Sequence, residues 1–295
     1  MLIRKLVLPV LVGFATIAAN FPAPSYANIL EELSALTRKA TFELGVQVNL
    51  AGKQRMLIQE MSKETLLVAL DVDVEENRGL LKKSIALFDR TLLGLRKGDQ
   101  SLDLVETTNQ KILAQLQKVE KLWKDFKPLV ESLANGQNDN KTLELIATGN
   151  MPLLAVMNKA VGMYASMSGA DAAELATVIN MSGKQRMLTQ KMTKEFLMIA
   201  RGIKVKENRQ ALEKTIKLFD KTLKGLLDGD KGLGLPATTD PKIRDQLAVV
   251  KKLWVSFYPL LQKPATPSSL RQVEKANLPL LAEMDKAVKM YEQSR

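Results

Sequence analysis

The chain contains no histidine and no cysteine. Without histidine it lacks the commonest general base and the commonest metal ligand. Without cysteine it has no thiol nucleophile, places no disulfide demand on its compartment, and loses most zinc and copper chemistries. Aromatic residues make up only 5%, and 295 residues hold just 16 glycines and 11 prolines. Such a mix suits helices better than sheets. No catalytic set is visible, so the chain is not expected to be an enzyme, and no cofactor or metal is implied.

What is present describes a globular protein. The chain is 46% hydrophobic and 25% charged, enough to bury a core in one large domain or two ordinary ones. The net charge is +11. The basic residues are interspersed with acidic ones and form no stripe, which argues against nucleic acid and for a general preference for small anions. At the N-terminus, Arg4 and Lys5 precede the apolar run "LVLPVLVGFATIAA" and the small residues Ser25 and Ala27. This is the layout of a secretory signal peptide over residues 1–27, cleaved before Asn28, with an uncleaved anchor as the alternative. An exported, periplasmic protein is expected.

The remaining sequence is one unit written twice. "NLAGKQRMLIQEMSKE" from Asn49 returns as "NMSGKQRMLTQKMTKE" from Asn180, "ENRGLLKKSIALFDRTLLGL" as "ENRQALEKTIKLFDKTLKGL", and "KLWKDFKPLV" as "KLWVSFYPLL". After a shorter loop, "NMPLLAVMNKAVGMY" returns as "NLPLLAEMDKAVKMY". Hydrophobic spacing divides each copy into four helices, in the first at about Leu30–Leu70, Glu75–Leu95, Thr108–Leu133 and Lys141–Met167. "RKGDQS" and "NGQNDN" are turn signals, and Pro152 kinks the fourth helix or starts its main part. The expected fold is all-α: two tandem antiparallel four-helix bundles related by duplication, over residues 28–168 and 169–295. At the joint "SMSGADAAEL", Gly169 can end a helix in the left-handed conformation and Asp171 can cap the next. If the chain reverses there, the bundles lie side by side as a pseudo-dimer; if not, they lie end to end. Reversal is the expected arrangement.

On a helix the repeated segment has two characters. Leu50, Leu57, Met61 and Val68 share a face suited to a bundle core, while Asn49, Gly52, Arg55, Met56, Gln59 and Lys63 occupy another arc. The second copy repeats that arc with Asn180, Gly183, Arg186, Met187, Gln190 and Lys194. A glycine inside a helix is costly unless something must come close. If the stripes face each other, two guanidiniums about 6 Å apart repel by roughly 3 kcal/mol at an effective dielectric of about 20. A planar oxyanion between them would replace that repulsion with two charge-assisted attractions. The plainer alternative is that Arg55 pairs with Glu60 or Glu64 and the glycines serve packing alone. Met56, Met61, Met187, Met192 and Met198 could offer copper(I) thioethers, but they fall on several faces and read as core filler. Trp123 and Trp254 also read as core.

The pattern N-x-x-G-K-Q-R-M-L-x-Q-x-M-x-K-E, present twice, together with "NLPLLAEMDKAV", resembles the PilJ-type sensor domain of type IV pili methyl-accepting chemotaxis transducers. It is similar, more distantly, to the nitrate/nitrite sensor domain of the NarX/NarQ kinases. The resemblance implies periplasmic four-helix bundles and an anion held between two subunits through the Arg of the Arg-Met pair, here Arg55 and Arg186. One chain would then contain what a sensor dimer builds from two. The nitrate kinases carry a Lys after the motif Asn, where this chain has Leu50 and Met181. The expected function is thus binding or sensing of a small oxyanion, nitrate or nitrite. Arg55 and Arg186 would supply charge, Asn49, Asn180, Gln59 and Gln190 polar support, and Gly52 and Gly183 close approach. With no membrane helix or signalling domain following, the expectation is that any signal passes through a partner, a membrane sensor or transporter component, or that the protein only binds and buffers its ligand. The alternative is a ligand-free helical scaffold docking to a membrane receptor or pilus component.

Overall fold

The computed structural model describes residues 23–294 except 138; the side chains of residues 23–27, 170 and 171 are not described. The expected leader therefore lies outside the described residues, apart from the backbone of 23–27. The chain divides into two units, residues 1–42 and 43–295, and everything below concerns the second, apart from the start of the first helix.

Among the described residues there are eight α-helices and no strand: α1 Ala23–Ala69, α2 Val74–Lys97, α3 Gln110–Ala134, α4 Asn140–Ala165, α5 Ala170–Ala200, α6 Val205–Asp228, α7 Pro241–Phe257 and α8 Pro267–Gln293. The all-α fold expected from composition is what the chain adopts. None of these helices is long and apolar enough to cross a membrane.

The two copies use the same local devices. Asn77 reaches back to the carbonyls of Val72 and Asp73 at the start of α2, and Asn208 does the same to Ile203 and Lys204 at α6. The "ENR" triplets thus tie the tight turn after each motif helix. Helices α2 and α6 end at Gly98 and Gly229, whose φ values of 79° and 84° favour glycine. Asp99 and Asp230 then cap a short 3-10 turn. Asn109 and Asp240 cap α3 and α7 through the second and third backbone amides. The copies differ after their tryptophans. α3 continues through Pro128, whereas α7 stops at Phe257 and passes into a 3-10 segment, Tyr258–Gln262.

In each copy the core centres on an aromatic pair, Phe88 against Trp123 and Phe219 against Trp254, with ring centroids 4.3 and 4.5 Å apart. Trp123 donates to Asp89 and Trp254 to Asp220, so both indoles are core with a satisfied N–H. Gln54 donates to the Phe88 carbonyl and Gln185 to that of Phe219, both at 2.9 Å. These bonds lock each motif helix to its neighbour.

The joint departs from expectation in detail. Gly169 has φ −63° and is the extended residue before α5, not a left-handed helix end. α4 ends without one because serines take its last carbonyls: Ser166 Oγ donates to Met163 and Ser168 Oγ to Ala165. The expected cap by Asp171 falls on a side chain outside the described residues. Pro152 lies inside one continuous helix rather than at a start.

Candidate functional site

The motif helices α1 and α5 lie against each other and run the same way. Residues 49–55 meet 180–186 directly. One to two turns on, Lys63 reaches Asn277, which is bonded to Thr189 and Thr193 of α5, and Lys194 reaches Asn150, which is bonded to Gln59 of α1. The side-by-side pseudo-dimer is therefore the arrangement adopted. From Gly45 to Val68 most of α1 is buried, charged stripe included, because one face enters its own bundle and the other meets the second copy. Leu50, expected in the core, is only half-buried.

Gly52 and Gly183 explain how the helices admit two arginines. A Cβ on Gly52 would lie 3.3 Å from Arg55 Nη2 and 3.8 Å from Arg186 Nη2; one on Gly183 would lie 3.3 Å from Arg186 Nη2 and 3.8 Å from Arg55 Nη2. The bare backbone leaves the space that the guanidiniums fill. Arg55 Nη2 crosses to the Asn180 carbonyl at 3.1 Å. Arg186 Nη2 crosses back to the Asn49 carbonyl at 3.2 Å and to its Oδ1 at 2.7 Å. Both arginines are about 1% exposed, and in both Nε is buried without a partner. Asn180 Oδ1 is likewise buried and unpartnered.

The pseudo-symmetry breaks at the fourth helices. Arg55 Nη1 donates to the neutral Asn158 at 2.9 Å, whereas Arg186 Nη1 forms an ion pair with Asp285 at the corresponding place. Arg55 is not paired with Glu60 or Glu64: Glu64 instead accepts from Ser84, and among the described residues Arg55 bonds Asn158 and the Asn180 carbonyl rather than a carboxylate. Burial first, and Arg186 second, disfavour the charged form of Arg55. Burial alone would raise the Asp285 pKa, but Arg186 and Lys53 hold it below the usual carboxylate value. Lys53 and Lys184 are pushed down, mainly by burial. Glu292, which accepts from Asn49, is pushed up by burial.

The eight residues expected to form a site separate into two layers. Asn49, Asn180, Gly52, Gly183, Arg55 and Arg186 come together around the arginines. Gln59 and Gln190 lie one turn further along with Lys63, Lys194, Asn150 and Asn277. Gln59 donates to Asn150 Oδ1 at 3.2 Å, while neither amide atom of Gln190 has a partner. A cleft of about 480 Å³ lies elsewhere, lined in part by Leu143, Met198, Arg201 and Lys204. None of the eight residues lines it, and chemistry rather than cavity size favours the arginine layer. Reading the motif alone misses Asn158 and Asp285, and Asn150 and Asn277. The signal for them was the repeat itself: "NMPLLAVMN" and "NLPLLAEMD" keep the first Asn and differ at the last residue.

The model of the PilJ family, described as the type IV pili methyl-accepting chemotaxis transducer N-terminal domain, matches residues 43–148 and again 170–277. The chain belongs to the PilJ family. Its two PilJ segments each contain one motif arginine, so the arginine layer lies between two domains of a chemotaxis-transducer sensory family. The chain is also similar to the methyl-accepting chemotaxis protein McpN of Pseudomonas aeruginosa, 29% identical over 133 residues. That match covers 44% of this chain and 24% of McpN.

Proposed function

We propose that this tandem PilJ protein is a periplasmic sensor or binding protein for a small oxyanion, nitrate or nitrite, held between the two motif helices. The observation that carries the reading is the charge of the interface. Two fully buried guanidiniums meet at glycines, and among the described residues a single carboxylate is bonded to the pair. Buried charge without a counter-charge is expensive, and a bound monoanion offsets it. Unpartnered Nε atoms on both arginines leave donors in hand. The kinship to the NarX/NarQ nitrate sensors suggested by the motif points to the same ligand class. Arg55 and Arg186 supply the charge, Asn49 and Asn180 orient the guanidiniums, Gly52 and Gly183 admit them, and Gln59 and Gln190 line the next layer. Export through residues 1–27 belongs to this proposal, as does a chemotaxis transducer or other membrane component as signalling partner. So do the domain limits 28–168 and 169–295.

Calorimetric titration with nitrate, nitrite, chloride and sulfate at constant ionic strength tests it. One nitrate or nitrite per chain is expected, with a stabilisation of about 2.7 kcal/mol at 100 times the dissociation constant. Equal melting shifts with every salt would mean general screening and would leave a ligand-free scaffold as the better reading.

A further inference from the structure

The two copies treat their arginines differently, and the difference is a whole charge. Asn158 and Asp285 occupy equivalent places in the fourth helices and bond the equivalent Nη1 atoms of Arg55 and Arg186. Among the described residues Arg55 thus has only neutral bonding partners, Asn158 and the Asn180 carbonyl. Arg186 already has an anion, tethered to the fold. The surrounding charges do not cancel this asymmetry. Lys53 acts on Asp285 and Arg186, Lys184 acts on Arg55, Glu292 acts on Arg186 through Asn49, and the exposed Lys289 lies 3.4 Å from the other Asp285 oxygen. Among the described residues, lysines and carboxylates both crowd the Arg186 side, whereas the Arg55 side receives a lysine.

We propose that Asp285 is a tethered counter-charge that sets the valence of the anion accepted by the arginine pair, favouring monovalent over divalent oxyanions. The inference rests on the oxyanion-binding reading above and adds the residue that selects the ligand's charge. The physical reason is Coulombic. A fixed negative charge against one guanidinium repels each unit of ligand charge, so it penalises a dianion about twice as much as a monoanion. Low-dielectric surroundings enlarge that difference, because both guanidiniums are buried. Asp285 also leaves Arg55 as the arginine whose charge the ligand must answer. The chain itself indicates that the carboxylate is not needed for the arginine to pack: Arg55 is equally buried with an asparagine in the same place.

The test compares nitrate and sulfate binding to the wild-type chain, Asp285→Asn and Asn158→Asp by titration calorimetry at matched ionic strength. Circular dichroism melting checks the fold of each. In Asp285→Asn the ratio of sulfate to nitrate affinity is expected to rise about tenfold or more. In Asn158→Asp, where both arginines carry a tethered carboxylate, both affinities are expected to fall by about tenfold or more. An unchanged ratio in folded Asp285→Asn, or unchanged nitrate affinity in Asn158→Asp, overturns the role of Asp285 while wild-type nitrate binding stands. If Asp285→Asn does not fold, Asn158→Asp decides alone. A wild type that binds neither anion overturns the binding reading, and this inference with it.

Discussion

Arg186 of the second repeat donates from Nη2 to Asn49 Oδ1 of the first at 2.7 Å, and Arg55 returns the crossing to the Asn180 carbonyl at 3.1 Å. Such reciprocity is what a pseudo-two-fold axis between two copies of one unit produces. The two arginines are nonetheless distinguishable, since among the described residues only Arg186 has a carboxylate partner.

Removing each arginine should therefore have unequal effects. Arg55→Leu removes a buried charge with neutral partners, and the unliganded protein should be as stable as wild type or more so. Arg186→Leu strands Asp285, whose side chain is 22% exposed, and should cost on the order of 1–3 kcal/mol, reduced by the solvent and by Lys53 and Lys289 nearby. Urea denaturation of both variants without ligand measures the difference. Equal stabilities would show that Asp285 relaxes freely into solvent.

Glycine at 52 should be replaceable by alanine but not by a large side chain. Alanine gains about 1 kcal/mol of helix propensity, offset by a Cβ 3.3 Å from Arg55 Nη2. Leucine would overpack the interface, costing about 1–3 kcal/mol and displacing the guanidiniums. Gly52→Ala should retain any nitrate-induced melting shift and Gly52→Leu should lose it. A retained shift in Gly52→Leu would separate the arginines from ligand binding.

Lys194 predicts a pH response on the alkaline side. It is buried, with Nζ 3.0 Å from Asn150 Oδ1, and burial pushes its pKa down to about 8 from the ordinary lysine value of 10.5. Between those values the unfolded chain binds the proton and the folded chain does not. Its contribution to stability should therefore increase as pH rises from about 8 towards about 10.5. Lys194→Met should be more stable at neutral pH, and that rise should be missing from its difference from wild type. Parallel pH profiles for the two proteins would contradict the assignment.

Glu64 predicts the opposite trend on the acid side. Burial first, then the neighbouring Glu60, raise its pKa well above normal, and its Oε2 has no partner. The equivalent of Glu60 in the second repeat is Lys191, which forms an ion pair with Glu195. A raised folded pKa gives stability that is present below about 4.5 and lost as pH climbs through the folded value. Glu64→Gln should be more stable than wild type at pH 7, by about 1 kcal/mol or more, and the two should converge near pH 4. Chemical denaturation at both pH values checks it.

Much of this was legible in the residues. The repeat and the 3.6-residue periodicity specify eight helices, and the turn after α2 follows from Gly98 and Asp99. The motif pointed to Arg55, Arg186 and the glycines because a glycine beside an arginine inside a helix has little reason other than close approach. The partners were less visible. Asn158 lies 103 residues from Arg55, and no local pattern distinguishes a helix-four asparagine that faces a guanidinium from one that faces water. Gln59 and Gln190 shared the arginines' stripe, yet packing assigned them to the next layer with Lys63 and Lys194.

By itself the sequence determined the helical class, the duplication and the identity of the paired arginines, because periodicity, repetition and side-chain chemistry are local properties of the chain. Only the tertiary structure decided that the motif helices run parallel in contact, that each arginine bonds the other repeat, and that one arginine has a carboxylate while its twin has an amide. Those outcomes depend on which buried faces meet. Where two surfaces of one helix are both buried, the hydrophobic pattern cannot tell the bundle core from the interface. The charge balance of that interface is settled by residues about a hundred positions apart, Arg55 with Asn158 and Arg186 with Asp285.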